Sequence, residues 1–424
     1  MRVIALYKTF DGEEWIDASL ASVYPLVDKI VMVHSEVSWL GERGNTVEMR
    51  ARSFPDPQGK IIHLNHDTTC QEEQYRVGVD YIQSVLSSDL VMVVDADEIW
   101  EKQYFDSAIR QIQRHPDCKV YRVEMQTYIK TPFYQIQPTY GKPTAFFRDP
   151  YALTRSPRGY MTEGVVLQNV WMHHMTYVRA TKEKVFEKVQ RSAIADGNEP
   201  LYPDWDNIWN TLPNATNVHP FQRHRTVWQA TRCIWLDELP DTLRNYAMSW
   251  IPEGELIHGE ELVLRDLARG KDVAIDLGTS QGRSAVILSL AAKKVHTFDL
   301  FEDVFAEEVD GDIQLWQTRG HSHENVKRSL SLFSNITVNK SDTADGASSF
   351  EDETVDFVFV DANHTCDGVQ RDYRAWWPKL RKGGVMVFHD CNAIHPGVVA
   401  FINTLKHTPI DLGQTCGSLK AFRK

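Results

Sequence analysis

Leu90-Val91-Met92-Val93-Val94-Asp95-Ala96-Asp97-Glu98 is the stretch on which the reading of the fold turns. Its five leading apolar residues have the character of a strand buried on both faces, and two acids fall where the run ends. Upstream, residues 2–7, 29–34 and 60–64 read as further strands. Between them Trp15, Ile16, Ser19, Leu20 and Val23 recur at helical spacing. Residues 72–86 do the same, with Tyr75, Val79, Ile82 and Leu86 on one face. This alternation predicts a parallel-rich, doubly wound α/β sheet with its site at the C-terminal ends of the strands. On an extended chain carboxylates at i and i+2 point the same way, so Asp95 and Asp97 are expected to face one divalent cation. Such a cation suits a substrate with a diphosphate, whose charge it neutralises as the leaving group departs.

Past about residue 115 the pattern loosens. Residues 119–148 are rich in Tyr, Phe, Thr and Gln, and Val170-Trp171-Met172-His173-His174-Met175 surrounds two histidines with apolar and aromatic groups. A charged helix is expected over 181–194, and the weakly periodic 200–245 reads as the end of a first domain. Alternation restarts near 250, with a helix over 260–268 and strands at 273–276, 295–299, 335–339, 355–360 and 385–389. A glycine turn, Asp276-Leu277-Gly278-Thr279-Ser280-Gln281-Gly282, sits between the first of these strands and a helix. The expected organisation is therefore two α/β domains, 1–245 and 249–424.

Composition fits that organisation. The 424 residues are 42% hydrophobic and 25% charged, ordinary for a globular chain with full cores, and the length favours two or three domains. A net charge of −12 argues against a nucleic-acid binder, which normally needs a basic face. The six cysteines have no Cys-x-x-Cys spacing, which argues against a zinc or redox site and for reduced thiols. The chain enters its first strand at once, its N-terminal apolar run is too short for a signal peptide, and no window nears the ~18 apolar residues of a membrane span. A cytoplasmic location is the expectation.

The first domain resembles the GT-A fold glycosyltransferases that use nucleotide sugars, over roughly residues 1–195. The resemblance rests on Ala5-Leu6-Tyr7-Lys8, Gln74-Tyr75-Arg76, Val94-Asp95-Ala96-Asp97-Glu98 and His173-His174-Met175-Thr176-Tyr177-Val178-Arg179, in that order. It implies that Asp95 faces ribose and metal, that Asp97 ligates Mn²⁺ or Mg²⁺, and that His173 or His174 adds a ligand, with one packed and one solvated histidine as the alternative. Tyr7 and Glu36 are expected at the nucleotide and Arg76 at the diphosphate. For Glu36 capping is an equal alternative, and for Arg76 a solvated helix face. An inverting transfer needs a carboxylate base, for which Glu163 and Asp149 are the candidates.

The glycine turn resembles motif I of class I S-adenosylmethionine-dependent methyltransferases. The resemblance implies that Asp276, Gly278, Thr279, Ser280 and Gly282 form the cofactor loop, that Asp299 takes the ribose, and that Asp342 meets the adenine. A dehydrogenase shares the acid-after-strand logic, but the later motifs argue against it. Val358-Phe359-Val360-Asp361-Ala362-Asn363-His364 and the stretch from Leu380 to Asp390 resemble the sugar O-methyltransferases of macrolide pathways and, more distantly, catechol O-methyltransferase. In that branch acids matching Asp361 and Asp390 bind Mg²⁺. Here His389 and Cys391 stand where a second Asp or Asn is usual, which leaves the metal open or the site weaker and completed by water. His364 stands where the catechol enzymes have a catalytic lysine, and a neutral imidazole can take a proton from a sugar hydroxyl. A structural loop histidine is the alternative.

The two resemblances together imply a bifunctional glycan-modifying enzyme. It would transfer sugar from a UDP- or GDP-linked donor to a glycan or glycoconjugate and O-methylate a sugar hydroxyl with S-adenosylmethionine. The alternative is one catalytic domain and one binding module, with the altered metal neighbours making the methyltransferase the weaker of the two.

Overall fold

The computed structural model describes residues 1–10, 14–38, 40–44, 47–139, 141–154, 164–195, 201–302, 304–309, 312–317, 322–413 and 417–424. They divide into two compact units: Met1–Trp209 with Ala215–Met248, and Asn210–Asn214 with Ser249–Lys424. Among the described residues no helix is long and apolar enough to cross a membrane.

The first unit is built on a ten-stranded sheet. Its strands are β1 (Val3–Thr9), β2 (Lys29–His34), β3 (Ile61–Asn65), β4 (Leu90–Val94), β5 (Glu98–Ile99), β6 (Val120–Ile129), β7 (Thr131–Gln137), β8 (Thr144–Phe147), β9 (Val165–Tyr177) and β10 (Ala230–Cys233). Side chains alternate across a strand, and β1 uses both faces. Val3, Ala5 and Tyr7 join a core with Ile16, Leu20 and Trp100, whereas Ile4 and Leu6 join one with Tyr75, Val79 and Ile82. Every residue of β4 is buried, which is why its sequence is apolar without alternation.

The block β3-β2-β1-β4 is parallel, and β9 also runs parallel to β6. Beyond β4 the pairs with β8, β6, β7 and β10 are antiparallel, a departure from the parallel-rich sheet expected. The cause is local: β6 and β7 are separated by Lys130 alone, at φ 67°, too short a link for a crossover. The helix expected over 72–86 is α-helical across Gln71–Tyr81 and continues as a single π turn over Ile82–Leu86.

The second unit carries β11 (Val273–Leu277), β12 (Lys294–Asp299), the hairpin β13 (Val304–Val309) and β14 (Asp312–Gln317), β15 (Ile336–Lys340), β16 (Val355–Val360), β17 (Leu380–Phe388) and β18 (Lys420–Arg423). The main sheet runs β15-β12-β11-β16-β17-β18, the first five parallel and β18 reversed at the edge. Successive strands go one way from β11 to β15 and the other way from β16 to β18. The order therefore reverses between β11 and β16, which opens a crevice at their C-terminal ends.

Candidate functional sites

In the first unit the parallel register pairs Tyr7 with Val94, so the next residues, Lys8 and Asp95, lie side by side. Lys8 Nζ is 3.0 Å from Asp95 Oδ1. The strand ends there and the chain turns: Glu98 N–H donates to the Asp95 carbonyl at 3.0 Å, and Asp95 N–H donates to Glu98 Oε2 at 3.2 Å. Asp95 and Asp97 thus flank a turn rather than an extended segment, and the i, i+2 alternation does not apply. Asp95 opens onto a cavity of ≈ 570 Å³ with Gln71, Tyr75, Glu98, Arg122, Glu124 and His174. Asp97 points away into a buried pair, its Oδ2 accepting from Arg179 at 2.9 Å, while Arg179 also donates to Glu14 at 3.2 Å.

The adjacent histidines separate for a related reason. On β9 neighbouring side chains face opposite ways, so His173 and His174 cannot serve one ion. His174 lines the cavity, whereas His173 is buried between Glu101 (2.8 Å) and the Tyr128 hydroxyl (2.9 Å). Burial alone would raise the Glu101 carboxyl, yet its bond to His173 holds it below the ordinary value.

Four other expectations need correction. Tyr7 does not reach the nucleotide site; it is fully buried, its hydroxyl on Ser19 at 3.0 Å. Arg76 lies on the exposed face of its helix, and it is Gln71 and Tyr75, one turn apart, that face the cavity. Asp149 is remote: β8 runs against β4 with Phe147 opposite Val91, so Asp149 falls level with Asp89, about 20 Å along the strand from Asp95. Glu36 is exposed, its backbone N–H held by Asp67 at 2.8 Å, and it does not line the cavity. Glu163 lies outside the described residues. A Mn²⁺ or Mg²⁺ ion held by both carboxylates of the Asp-x-Asp does not fit these positions, because Asp97 is committed to Arg179 and Asp95 to Lys8.

In the second unit the strand register does the assembly. Leu277 pairs with Val360, Asp361 N–H donates to the Leu277 carbonyl at 2.9 Å, and His389 N–H donates to the Val360 carbonyl at 3.0 Å. Gly278, Asp361 and His389 therefore stand in a row across three strand ends. A Cβ on Gly278 would lie 1.9 Å from the Asp361 carbonyl oxygen, and its φ of +94° suits glycine alone. Gly282, at φ +99°, begins the next helix with Leu330 packed where a Cβ would be. Both glycines let the turn pack tightly at the strand ends beside the crevice, which fits S-adenosylmethionine as the resident cofactor.

The acids expected around that cofactor divide into two kinds. Asp299 closes on the turn: its two oxygens accept from Ser280 N–H at 2.9 Å and Phe301 N–H at 2.8 Å. Asp342 accepts from Ala344 N–H at 3.0 Å and from Arg371 at 2.6 Å, so it caps the turn after β15. Asp276 instead points inward. It is fully buried against Thr297 at 2.7 Å, and burial pushes its carboxyl up to about 7. Thr279 is buried too, its hydroxyl 2.5 Å from that of Thr297. Asp276 and Thr279 thus set the shape of the turn rather than its surface.

Beside the turn, titratable groups converge. His389 Nδ1 is 3.1 Å from both Asp361 Oδ1 and Asp390 Oδ2, and its Nε2 is 3.2 Å from Glu260 Oε2. His364 Nε2 lies 3.3 Å from Asp390 Oδ2 and 3.6 Å from Asp361 Oδ1, and His395 Nε2 is 3.7 Å from Asp390 Oδ2. Burial disfavours a charged His389, but its bonds to Asp361, Asp390 and Glu260 outweigh that and push it up to about 12. Burial would raise Asp361, yet the bonds from His364 and His389 hold it far below the usual range. Cys391 takes no part; its thiol faces backbone carbonyls and burial pushes it up to about 12. Sequence reading missed Glu260, His389 and His395. Glu260 had no local signal, since it lies 129 residues from His389.

Mg²⁺, which the resemblance implies here, fits this donor set poorly. It takes oxygen ligands and keeps several waters, while three of the five groups around Asp390 Oδ2 and Asp361 Oδ1 are imidazoles.

Sheet order, glycine turn and crevice define a nucleotide-cofactor fold of the methyltransferase type. Residues 275–391 match the family described as Methyltransferase domain, so the second unit carries a methyltransferase domain. Solved structures also resemble the chain. An rRNA methylase from Streptococcus thermophilus has 13% identity and a TM-score of 0.30, covering 40% of this chain and 97% of its own. The O-methyltransferase NovP has 11% identity and a TM-score of 0.31, covering 39% and 79%. The O-methyltransferase from Bacillus cereus in complex with SAH has 14% identity and a TM-score of 0.29, covering 45% and 90%. No curated protein matches the chain.

Proposed function

We propose that the second unit transfers a methyl group to an oxygen, with a hydroxyl of a sugar or glycoconjugate as acceptor. The observation that carries this reading is the bare Cα of Gly278 against the Asp361 carbonyl, which sets the cofactor turn directly beside the acid and histidine cluster. Bound S-adenosylmethionine supplies a methyl carbon on a sulfonium centre. Asp299 retains acceptor capacity for ribose hydroxyls, and the 278–282 turn, packed through its two glycines against Asp361 and Leu330, seats the methionine half. Asp361 and Asp390 orient the acceptor hydroxyl, His364 receives its proton, and alignment with the sulfonium carbon carries much of the rate.

For the first unit we propose recognition of a nucleotide sugar in the cavity beneath Asp95. Arg122 and Lys142 line it and offer positive charge to a diphosphate, while His174 and Glu124 offer polar contacts to the sugar. Transfer of that sugar to a glycan would make the chain bifunctional. A second reading, in which this unit binds the nucleotide sugar without transferring it, is favoured by one observation: Asp97 is occupied by Arg179.

Titration of the full chain with S-adenosylmethionine and with UDP- and GDP-sugars, followed by assays of S-adenosylhomocysteine and nucleotide release with glycan acceptors, tests both. Methyl transfer with Asp299→Ala weakened in cofactor affinity is the expected result. Absence of S-adenosylmethionine binding would end the first proposal. Nucleotide-sugar binding without turnover would decide for the binding module.

A further inference from the structure

The three histidines beside Asp390 belong to three different segments. His364 follows β16, His389 follows β17, and His395 precedes the helix Pro396–Ile402. All three aim a ring nitrogen at one carboxylate oxygen, Asp390 Oδ2, at 3.3, 3.1 and 3.7 Å. Only the contacts at 3.1 and 3.3 Å are within hydrogen-bond distance, and the 3.7 Å approach of His395 Nε2 is too long for one. His389 Nδ1 in turn faces two carboxylate oxygens at the same 3.1 Å, with at most one hydrogen to share. Hydrogen bonding alone accounts poorly for this convergence, whereas a shared cation accounts for it directly. Ligand atoms about 2.1 Å from one ion stand roughly 3.0–3.4 Å apart at right or tetrahedral angles. Two groups of three such atoms, His364–Asp390–His395 and Asp361–His389–Asp390, each lie within 4.8 Å of one another and share Asp390.

Two further features point the same way. Metal-bound histidines usually give their other ring nitrogen to a carboxylate. His389 Nε2 is 3.2 Å from Glu260, which is itself held by the backbone N–H (2.8 Å) and hydroxyl (3.1 Å) of Ser418. Asp390 also sits at φ +54°, a left-handed backbone uncommon outside glycine, which turns its carboxylate back into the cluster.

We propose that the second unit holds a divalent metal of the late first-row series, Co²⁺, Ni²⁺ or Zn²⁺, on His364, His389, His395, Asp361 and Asp390. Imidazole nitrogens select these ions over Mg²⁺. The cysteine spacing that spoke against zinc does not bear on this site, whose donors are histidine and aspartate. His364 is then a ligand rather than a free base. The metal's use as a Lewis acid on an acceptor hydroxyl rests on the methyltransferase reading, but its binding does not.

The full chain, stripped with chelator, is titrated with Zn²⁺ by calorimetry and with Co²⁺ by visible absorption, and S-adenosylmethionine is titrated in parallel. One tight equivalent is expected, with Co²⁺ bands that a hundredfold excess of Mg²⁺ does not remove. His364→Gln and His395→Gln should each weaken it at least about 10-fold, and Glu260→Gln by about 10–100-fold. Unchanged melting of the metal-free variants, and unchanged S-adenosylmethionine affinity in His395→Gln, separate ligand loss from misfolding. Undiminished stoichiometry and affinity in the His364→Gln/His395→Gln double variant would overturn the site, as would displacement of Co²⁺ by Mg²⁺ at comparable concentration. A parent that binds Zn²⁺ but no S-adenosylmethionine would refute the methyltransferase reading and leave the metal site standing.

Discussion

Val94 and Val360 each close a fully buried strand, and each is followed at once by an aspartate. After Val94 the chain turns back on itself: Asp95 meets Lys8 and the cavity, and Asp97 is drawn to Arg179, 82 residues away. After Val360 the neighbouring strands β11 and β17 end at the same level, and their loops bring Gly278, His389 and Asp390 to Asp361. One strand end spreads its charged groups among separate partners, and the other gathers them. The difference lies in what stands beside each strand end. A parallel neighbour on both sides brings loops together at one edge, whereas β4 has a parallel neighbour on one side and antiparallel β8 on the other. At β8 the adjacent loop leaves from the far end, which is why Asp149 is out of reach.

The comparison breaks most readily at Gly278. Gly278→Val would drive a Cβ into the Asp361 carbonyl at a φ that valine resists, so the second unit should lose about 4 kcal/mol or more and with it S-adenosylmethionine binding. Nucleotide binding by the first unit should survive. Calorimetric titration of both ligands into the variant checks this, and retained S-adenosylmethionine affinity would show that the turn is not the cofactor seat.

At the other strand end, Asp97→Ala leaves Arg179 buried with Glu14 as its remaining acidic partner among those described at the pair. A loss of about 3–5 kcal/mol in urea unfolding is expected, the usual penalty for breaking a buried ion pair. Were Asp97 a metal ligand instead, stability would hold and only ion-dependent nucleotide binding would fall.

Asp276 sharpens the contrast through pH. Its carboxyl is raised when folded, to about 7 against 3.8, so between those values the folded state holds a proton that the unfolded state has lost. Stability from this group therefore falls as pH rises from about 4 to 7 and is level outside that window. At 1.36 kcal/mol per unit the total is at most about 4 kcal/mol. Asp276→Asn should remove that slope in urea unfolding of the cofactor-free chain measured from pH 4 to 8; a variant with the parent's slope would assign it elsewhere.

The smallest effect belongs to Arg76, on the exposed face of its helix. Arg76→Ala should change stability by less than about 0.5 kcal/mol and leave nucleotide-sugar affinity near the parent's. A tenfold loss of that affinity would return Arg76 to the diphosphate.

What the sequence alone determined was whatever depends on a residue and its near neighbours. Unbroken apolar runs such as Leu90–Val94 and Phe357–Val360 could only be strands covered on both faces, and each lies where a strand was expected. Gly278 had to be glycine for a turn at positive φ, and an acid at each strand end could be read from the pattern. Tertiary structure decided which way each acid points. Asp95 and Asp97 look alike as a dipeptide spacing, but a turn and a distant arginine part them. His173 and His174 look like a pair, but the strand pleat sends them to opposite faces. His389, read as an interruption of a metal motif, stands at the centre of an acid and histidine cluster because Glu260 and Asp361 converge on it from far along the chain. Side-chain direction and long-range pairing are set by register and packing between segments, and no local window of sequence carries them.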